Sequence, residues 1–306
     1  MSDHLNNNIF RAALVLVALI AAAWSVAGQS LNRGDYRREM KAWRERQESE
    51  LKADDGWLTV AGLFWLKEGP NRFGSDSSND IVLPKNSAPG QTGTFELRGG
   101  VTTLSVAEGA SVTADGKGVR AVVMQPDTSE KPTVVKVNDL TLTVIKRGER
   151  YGIRLRDKNS SLRRQFKGLR WFPARESYRV TAQFIPHQPP VELAVPNVLG
   201  DVLKLPSPGL LVFKLNGREY SLAPVSEDDG KLFIIFRDLT SGKQTYPAGR
   251  FLYADAPVGG RVTLDFNQAV NPPCAFTPYA TCPLPPKQNR LKVAIAAGEQ
   301  TYHSTH

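Results

Sequence analysis

Cys274 and Cys282 are the only two cysteines of a 306-residue chain, and seven residues of a Pro-rich stretch separate them. In an oxidising compartment, a bridge closing so short a loop stabilises by about 2.5 kcal/mol in the chain-entropy model, so a structural disulfide is the first expectation. The functional alternative is a thiol nucleophile or a soft-metal pair. Either needs a depressed thiolate pKa, which Arg290, nearby in sequence, is placed to supply. Asp265 and Asn267 alternate with Phe266 along a strand that runs into this loop, so the two polar side chains share one face and the ring takes the other. Asn271, Thr281, Asn289, Arg290 and Glu299 follow among prolines and apolar residues. A charge in such surroundings needs a partner, and Asp265 or Glu299 is expected to pair with Arg290. Asp265 or Glu299 as general base, or Cys274 as nucleophile, with Arg290 stabilising negative charge, would make a hydrolase-type site. The alternative is that these groups only bond the backbone of a loop that cannot form its own ladder.

A second set of residues suits anions. Of the chain's net charge of +9, an excess of +8 lies between Lys146 and Arg170, where ten basic residues face two acidic ones. Within it, Gly152-Ile153-Arg154-Leu155-Arg156 alternates, so Ile153 and Leu155 point inward. Arg154 and Arg156 then project together, about 6 to 7 Å apart. Two guanidinium forks at that spacing suit a carboxylate or a phosphate; the alternative is a solvated face with Glu149 and Asp157 as weak surface partners. Nucleic acid is not the expected partner, because Tyr151, Phe166, Trp171 and Phe172 alternate like core residues and form no stacking platform.

Most motifs with known chemistry are absent, among them the Gly-x-Ser-x-Gly elbow, His-Glu-x-x-His, the phosphate-binding Gly-x-x-x-x-Gly-Lys loop and Cys-x-x-Cys. His4 lies in the leader, His187 in a Pro-rich connection, and His303 and His306 at a terminus. No metal site and no cofactor are expected.

These side chains must be positioned by a mainly β protein. Residues 12–23 form a short apolar run after Arg11 and before Ser25-Val26-Ala27, the pattern of a secretory signal over residues 1–27; an uncleaved membrane anchor facing the periplasm is the alternative. A periplasmic or secreted location follows, with membrane contact only if the segment is retained. Oligomeric state is not fixed by the sequence. Residues 30–53 read as an amphipathic helix, with Tyr36, Met40, Trp43 and Leu51 at helical spacing. From Trp57 onward, short β-branched runs alternate with Gly, Pro, Asn and Asp. Strands are expected at 93–98, 101–107, 133–137, 140–147, 151–156, 178–184, 191–195, 210–215, 231–237, 250–253, 261–266 and 291–296. So many short strands imply a sandwich or barrel. The Pro-rich stretch 185–190 is either a seam between two halves or a connection inside one β structure. Asp238 to Lys243 reads as a hairpin turn.

Two stretches resemble a known family. Gly56-Trp57-Leu58-Thr59-Val60-Ala61-Gly62-Leu63-Phe64-Trp65-Leu66-Lys67-Glu68-Gly69, continuing to Pro84, is similar to the opening of the DUF1684 family. Leu264-Asp265-Phe266-Asn267, Asn271-Pro272-Pro273-Cys274, Ala280-Thr281-Cys282-Pro283 and Ala297-Gly298-Glu299 resemble its closing signature. Membership implies no established activity. Within the first half, Glu68-Gly69, Phe73-Gly74-Ser75-Asp76, Asn79-Asp80-Ile81-Val82-Leu83 and Ala114-Asp115-Gly116 resemble a forkhead-associated (FHA) domain. That resemblance implies an FHA-like β-sandwich over 54–145, with a second β portion over 146–302 that carries the cysteine loop. It does not bring phosphothreonine binding, since Ser75 replaces the family's Arg and no Ser-x-x-His follows Leu83.

The leading expectation is an exported module that binds a small anionic ligand. Its ligand-binding residues would come from Arg154, Arg156, Asn267, Asn271, Thr281, Asn289 and Arg290. The alternatives are the hydrolase-type enzyme and an envelope protein docking its basic face on anionic lipid or polymer.

Overall fold

The computed structural model describes residues 33–302, so the leader read at residues 1–27 lies outside the described residues. Contacts divide the chain into two units, Met1–Ala42 and Trp43–His306. In the first unit, the described residues are the start of helix α1 (Arg33–Lys52), with Tyr36 and Met40 buried. No helix among the described residues is long and apolar enough to cross a membrane.

The second unit opens with a β-sandwich. Its first sheet has β1 (Val60–Trp65), β11 (Arg150–Asp157), β10 (Leu140–Arg147), β9 (Val135–Val137), β6 (Thr113–Ala114) and β7 (Lys117–Gly118), in that spatial order. The other has β3 (Ile81–Val82), β2 (Gly69–Gly74), β4 (Gly93–Arg98), β5 (Val101–Val106) and β8 (Ala121–Met124). Period-two alternation places Leu142, Val144, Ile153 and Leu155 of one sheet against Phe73, Phe95, Leu104 and Met124 of the other in one buried cluster. Gly74 is required where it stands, because a Cβ there would lie 2.1 Å from the Gly90 carbonyl oxygen. Asp80 fixes the same corner by accepting from the Arg72 backbone N–H at 2.9 Å.

The sandwich extends beyond the expected limit at residue 145. Strand β11, which carries the arginines, is central in its sheet and pairs with both β1 and β10. The basic segment therefore begins inside the sandwich and not in the second β portion.

The remainder contains a four-stranded sheet ordered β14 (Arg218–Leu222), β13 (Val202–Leu215), β12 (Arg179–Pro196), β18 (Arg261–Asp265), and a three-stranded sheet ordered β15 (Val225–Ser226), β16 (Leu232–Phe236), β17 (Arg250–Ala254). All five residues of β16, Leu-Phe-Ile-Ile-Phe, are buried. Leu232, Ile234 and Phe236 join the core shared with the four-stranded sheet, while Phe233 and Ile235 join a second cluster with Ala280 and Cys282. The Pro-rich stretch 185–190 is no seam: it is a register shift inside β12, between Pro186 and Val191, as expected where prolines cannot donate to a ladder. The strand expected at 291–296 does not form. That segment is held by single bonds, Leu291 N–H to the Arg237 carbonyl at 2.7 Å and Ile295 N–H to Asp238 Oδ2 at 3.1 Å.

The irregular segment from Phe266 to the end of the described chain packs against both β portions. Thr277 Oγ1 donates to the Val60 carbonyl of β1 at 3.2 Å, and Leu284 N–H donates to the Pro196 carbonyl at 2.7 Å. The cysteine loop is thereby fixed over the outer face of the β1/β11/β10 sheet.

Candidate functional site

Arg154 sits opposite Leu63 of β1 and Thr143 of β10, on the sheet face turned away from the sandwich core. The sequence placed Arg154 and Arg156 on one face, and they share it, but that face is covered. Arg154 is only 8% exposed. Its Nε and Nη2 have neither solvent access nor a hydrogen-bond partner. Its guanidinium lies 5.2 Å from the centre of the Trp57 ring, and that of Arg156 lies 5.6 Å from the same ring. Arg156 is anchored, donating from Nη1 to the Gly56 carbonyl at 2.7 Å and to Thr59 Oγ1 at 3.3 Å. Asp127, the carboxylate acting on Arg154, is already gripped by Arg147 through a two-pronged contact of 3.0 and 2.8 Å. Burial, then the Arg147 charge, lowers the Arg154 pKa to about 10, so it stays cationic at neutral pH.

Arg147 also donates from Nε to Thr281 Oγ1 at 2.9 Å, which ties the cysteine loop to this face. Cys274 and Cys282 are free thiols here, without the expected disulfide, though they are neighbours: Cys274 N–H donates to Cys282 Sγ at 3.2 Å. The hydrogen bond between the two side chains lowers the Cys274 pKa and raises that of Cys282, so Cys274 is the first to ionise. Arg154 is among the charges acting on Cys282. Trp57 and Cys274 pack against the cluster that contains Cys282.

Trp57 also lines a cavity of about 620 Å³, together with Trp43, Phe251, Tyr253, Phe276, Asn271 and Glu299. Glu299 is 1% exposed. Asn271 holds its carboxylate twice, from the backbone N–H at 2.8 Å and the side-chain Nδ2 at 2.7 Å. The turn that delivers Glu299 needs Gly298: its φ is +78°, and a Cβ would lie 2.5 Å from the Ala269 carbonyl oxygen. Burial raises the Glu299 carboxyl to about 8 despite the Asn271 donors and Arg250.

The other residues singled out in the sequence do not gather here. Asp265 accepts from Asn267 N–H at 3.0 Å and caps a 3-10 turn, and Asn267 clamps the Arg175 backbone at 3.0 and 2.8 Å. Asn289 clamps Ala223 through both its amide atoms, at 2.8 and 2.9 Å. Arg290 is exposed, so it is not the partner of a buried carboxylate. The buried ion pair is instead Arg250–Asp238 at 2.8 Å, the side chains 1% and 0% exposed. The reason is topological: Arg250 starts β17, which pairs with β16, and Asp238 stands in the connection after β16, where Thr240 also donates to it at 2.5 Å. The Asp238–Lys243 segment is a turn as expected, and the ion pair hidden in it was missed. Trp57 was missed as well; its only sequence signal was its place at the head of the opening stretch, before a β-bulge in β1.

The model of the DUF1684 family, described as a protein of unknown function, matches residues 164–300. No curated protein matches the chain. An uncharacterized protein of Haloarcula marismortui, solved by NMR, is 34% identical over 45% of this chain and 79% of its own, with a TM-score of 0.39. The FHA domain of FhaA, solved in complex with an intracellular domain, is 15% identical over 31% of this chain and 97% of its own, with a TM-score of 0.23. The FHA-2 domain of a Mycobacterium tuberculosis ABC transporter is 21% identical over 31% of this chain and 80% of its own, also with a TM-score of 0.23.

Proposed function

Because the chain belongs to the DUF1684 family, whose model covers residues 164–300 and names no activity, we propose from the site itself that the protein binds a small molecule with an anionic group. Arg154 takes the anion and the cavity behind Trp57 takes the body of the ligand. The observation that carries this reading is the Arg154 guanidinium, 8% exposed, with two of its nitrogens, Nε and Nη2, buried and unmet. A buried cation without acceptors is costly, by several kcal/mol, and an entering carboxylate or phosphate would relieve that cost. Trp57 lies against both arginines and also lines the cavity, so one side chain stands between the two. On the same footing we propose that residues 1–27 direct export to the periplasm or beyond, and that Cys274 and Cys282 close into a disulfide there.

The test is a thermal-shift and tryptophan-fluorescence titration of the mature protein with 3-phenylpropionate, succinate and inorganic phosphate, repeated with Arg154→Gln. At least one anion raises the melting temperature of the wild type, and the substitution weakens its binding tenfold or more. A wild type unmoved by all three defeats the reading.

A further inference from the structure

The wall of the cavity has the opposite sign to the protein as a whole. Against a net charge of +9, the charged residues lining the cavity are Glu50, Asp55 and Glu299 with Lys231. Its walls are aromatic, with Trp43, Trp57, Phe251, Tyr253 and Phe276. At one side lies a group that asks for a donor: Asn271 is 4% exposed, and its Oδ1 is buried without any hydrogen-bond partner. The amide cannot simply be turned round, because Nδ2 is engaged with both Glu299 Oε1 at 2.7 Å and the Gln300 carbonyl at 2.8 Å. An unmet acceptor beside a carboxylate, within aromatic walls, matches a protonated amine, which offers donors, a positive charge and a cation–π partner.

We infer that the cavity recognises a primary ammonium group at Asn271 and Glu299, so that the ligand is an amino-acid-like zwitterion; its anionic end rests on the Arg154 site proposed above. The ammonium donates to Asn271 Oδ1 and to the Glu299 carboxylate, and the carbon skeleton lies against Trp57 and Phe276. Ionised Glu299 is the form that binds. With burial holding the empty site's carboxyl at about 8, an entering cation displaces its proton at neutral pH. The charges acting on Glu299 are Arg250 from β17 and Glu48 from α1; Glu50, Asp55 and Lys231 complete those of the cavity wall.

The test is calorimetric titration of the mature protein at pH 7 with three probes that share a phenylethyl skeleton: phenylethylamine, 3-phenylpropionate and phenylalanine, in two buffers of different ionisation enthalpy. Phenylethylamine binds with proton release, Glu299→Gln weakens it at least tenfold, and Asp55→Asn, a change at an exposed residue, weakens it about threefold. Phenylalanine binds more tightly than either single-ended probe. Binding of phenylpropionate without phenylethylamine overturns the ammonium site and leaves the Arg154 reading standing. Binding of phenylethylamine without phenylpropionate leaves the ammonium site standing and, where succinate and phosphate also fail to bind, overturns the Arg154 reading. Should Glu299→Gln not fold, an amine affinity unchanged by Asp55→Asn, or binding without proton release, overturns the inference.

Discussion

Asn271 holds Glu299 through two donors on one residue, its backbone N–H to Oε2 and its Nδ2 to Oε1, in a setting where the carboxyl is 1% exposed. A buried acid raised from 4.5 to about 8 binds a proton in the folded state that the unfolded chain has already released. Between those two values stability falls as pH rises, by at most about 1.4 kcal/mol per unit, and outside them Glu299 contributes no slope. Melting temperature measured from pH 4.5 to 8 is expected to fall in the wild type and to flatten in Glu299→Gln. A slope left intact by the substitution would falsify the assignment to this residue.

The Arg250–Asp238 pair makes a different prediction. Arg250 also donates to the Ile295 carbonyl at 3.0 Å and to the Ala297 carbonyl, so the pair fastens the strand-less segment 291–297 to β17. Asp238→Ala leaves a fully buried guanidinium without its counter-charge and is expected to cost about 3 to 5 kcal/mol in chemical denaturation. A loss below about 1 kcal/mol would show that the pair is not what holds this segment.

Gly298 tests the geometry that delivers Glu299. Alanine there meets both a left-handed backbone and the Ala269 carbonyl oxygen. Gly298→Ala should destabilise by more than about 1 kcal/mol and alter the pH slope assigned to Glu299. Unchanged stability and slope would mean that the turn tolerates a side chain.

In the reduced protein, half-buried Cys274 should alkylate before buried Cys282, since the bond between the two side chains favours its thiolate. Cys282→Ala removes that bond and should slow alkylation of Cys274. Mass spectrometry of the labelled peptides gives the order, and modification of Cys282 first contradicts it.

The strands were legible because period-two alternation dictates them: Leu140, Leu142 and Val144 announce β10, and Ile153 with Leu155 announces β11. Their boundaries with the prolines were less so. Pro186 and Pro190 look like punctuation, yet long strands absorb them as a bulge, since the partner strand continues past the shift. The pairing of Arg154 with Arg156 was readable for the same reason. Their burial was not, because it depends on Thr277 and Thr281 bringing a segment from more than a hundred positions away onto that face. The error over Arg290 has the same origin. Proximity in sequence favoured it as a counter-charge, whereas strand order brings Arg250 to Asp238 and leaves Arg290 in solvent. Asn267 and Asn289 were read as ligand-binding candidates, with bonding to the loop backbone as the alternative, and both hold backbone groups. Of the residues marked in the sequence, only Asn271 and Glu299 face the cavity, while Arg154 and Arg156 flank its Trp57 wall.

The most direct measurement is a fluorescence titration of wild type and Arg154→Gln with 3-phenylpropionate at neutral pH, reading the tryptophan signal to which Trp57 contributes. Saturable binding by the wild type, at least tenfold weaker in the variant, is the result expected if the unmet guanidinium is an anion site. A wild type that binds neither this carboxylate nor phosphate, or a variant that binds as tightly as the wild type, contradicts it.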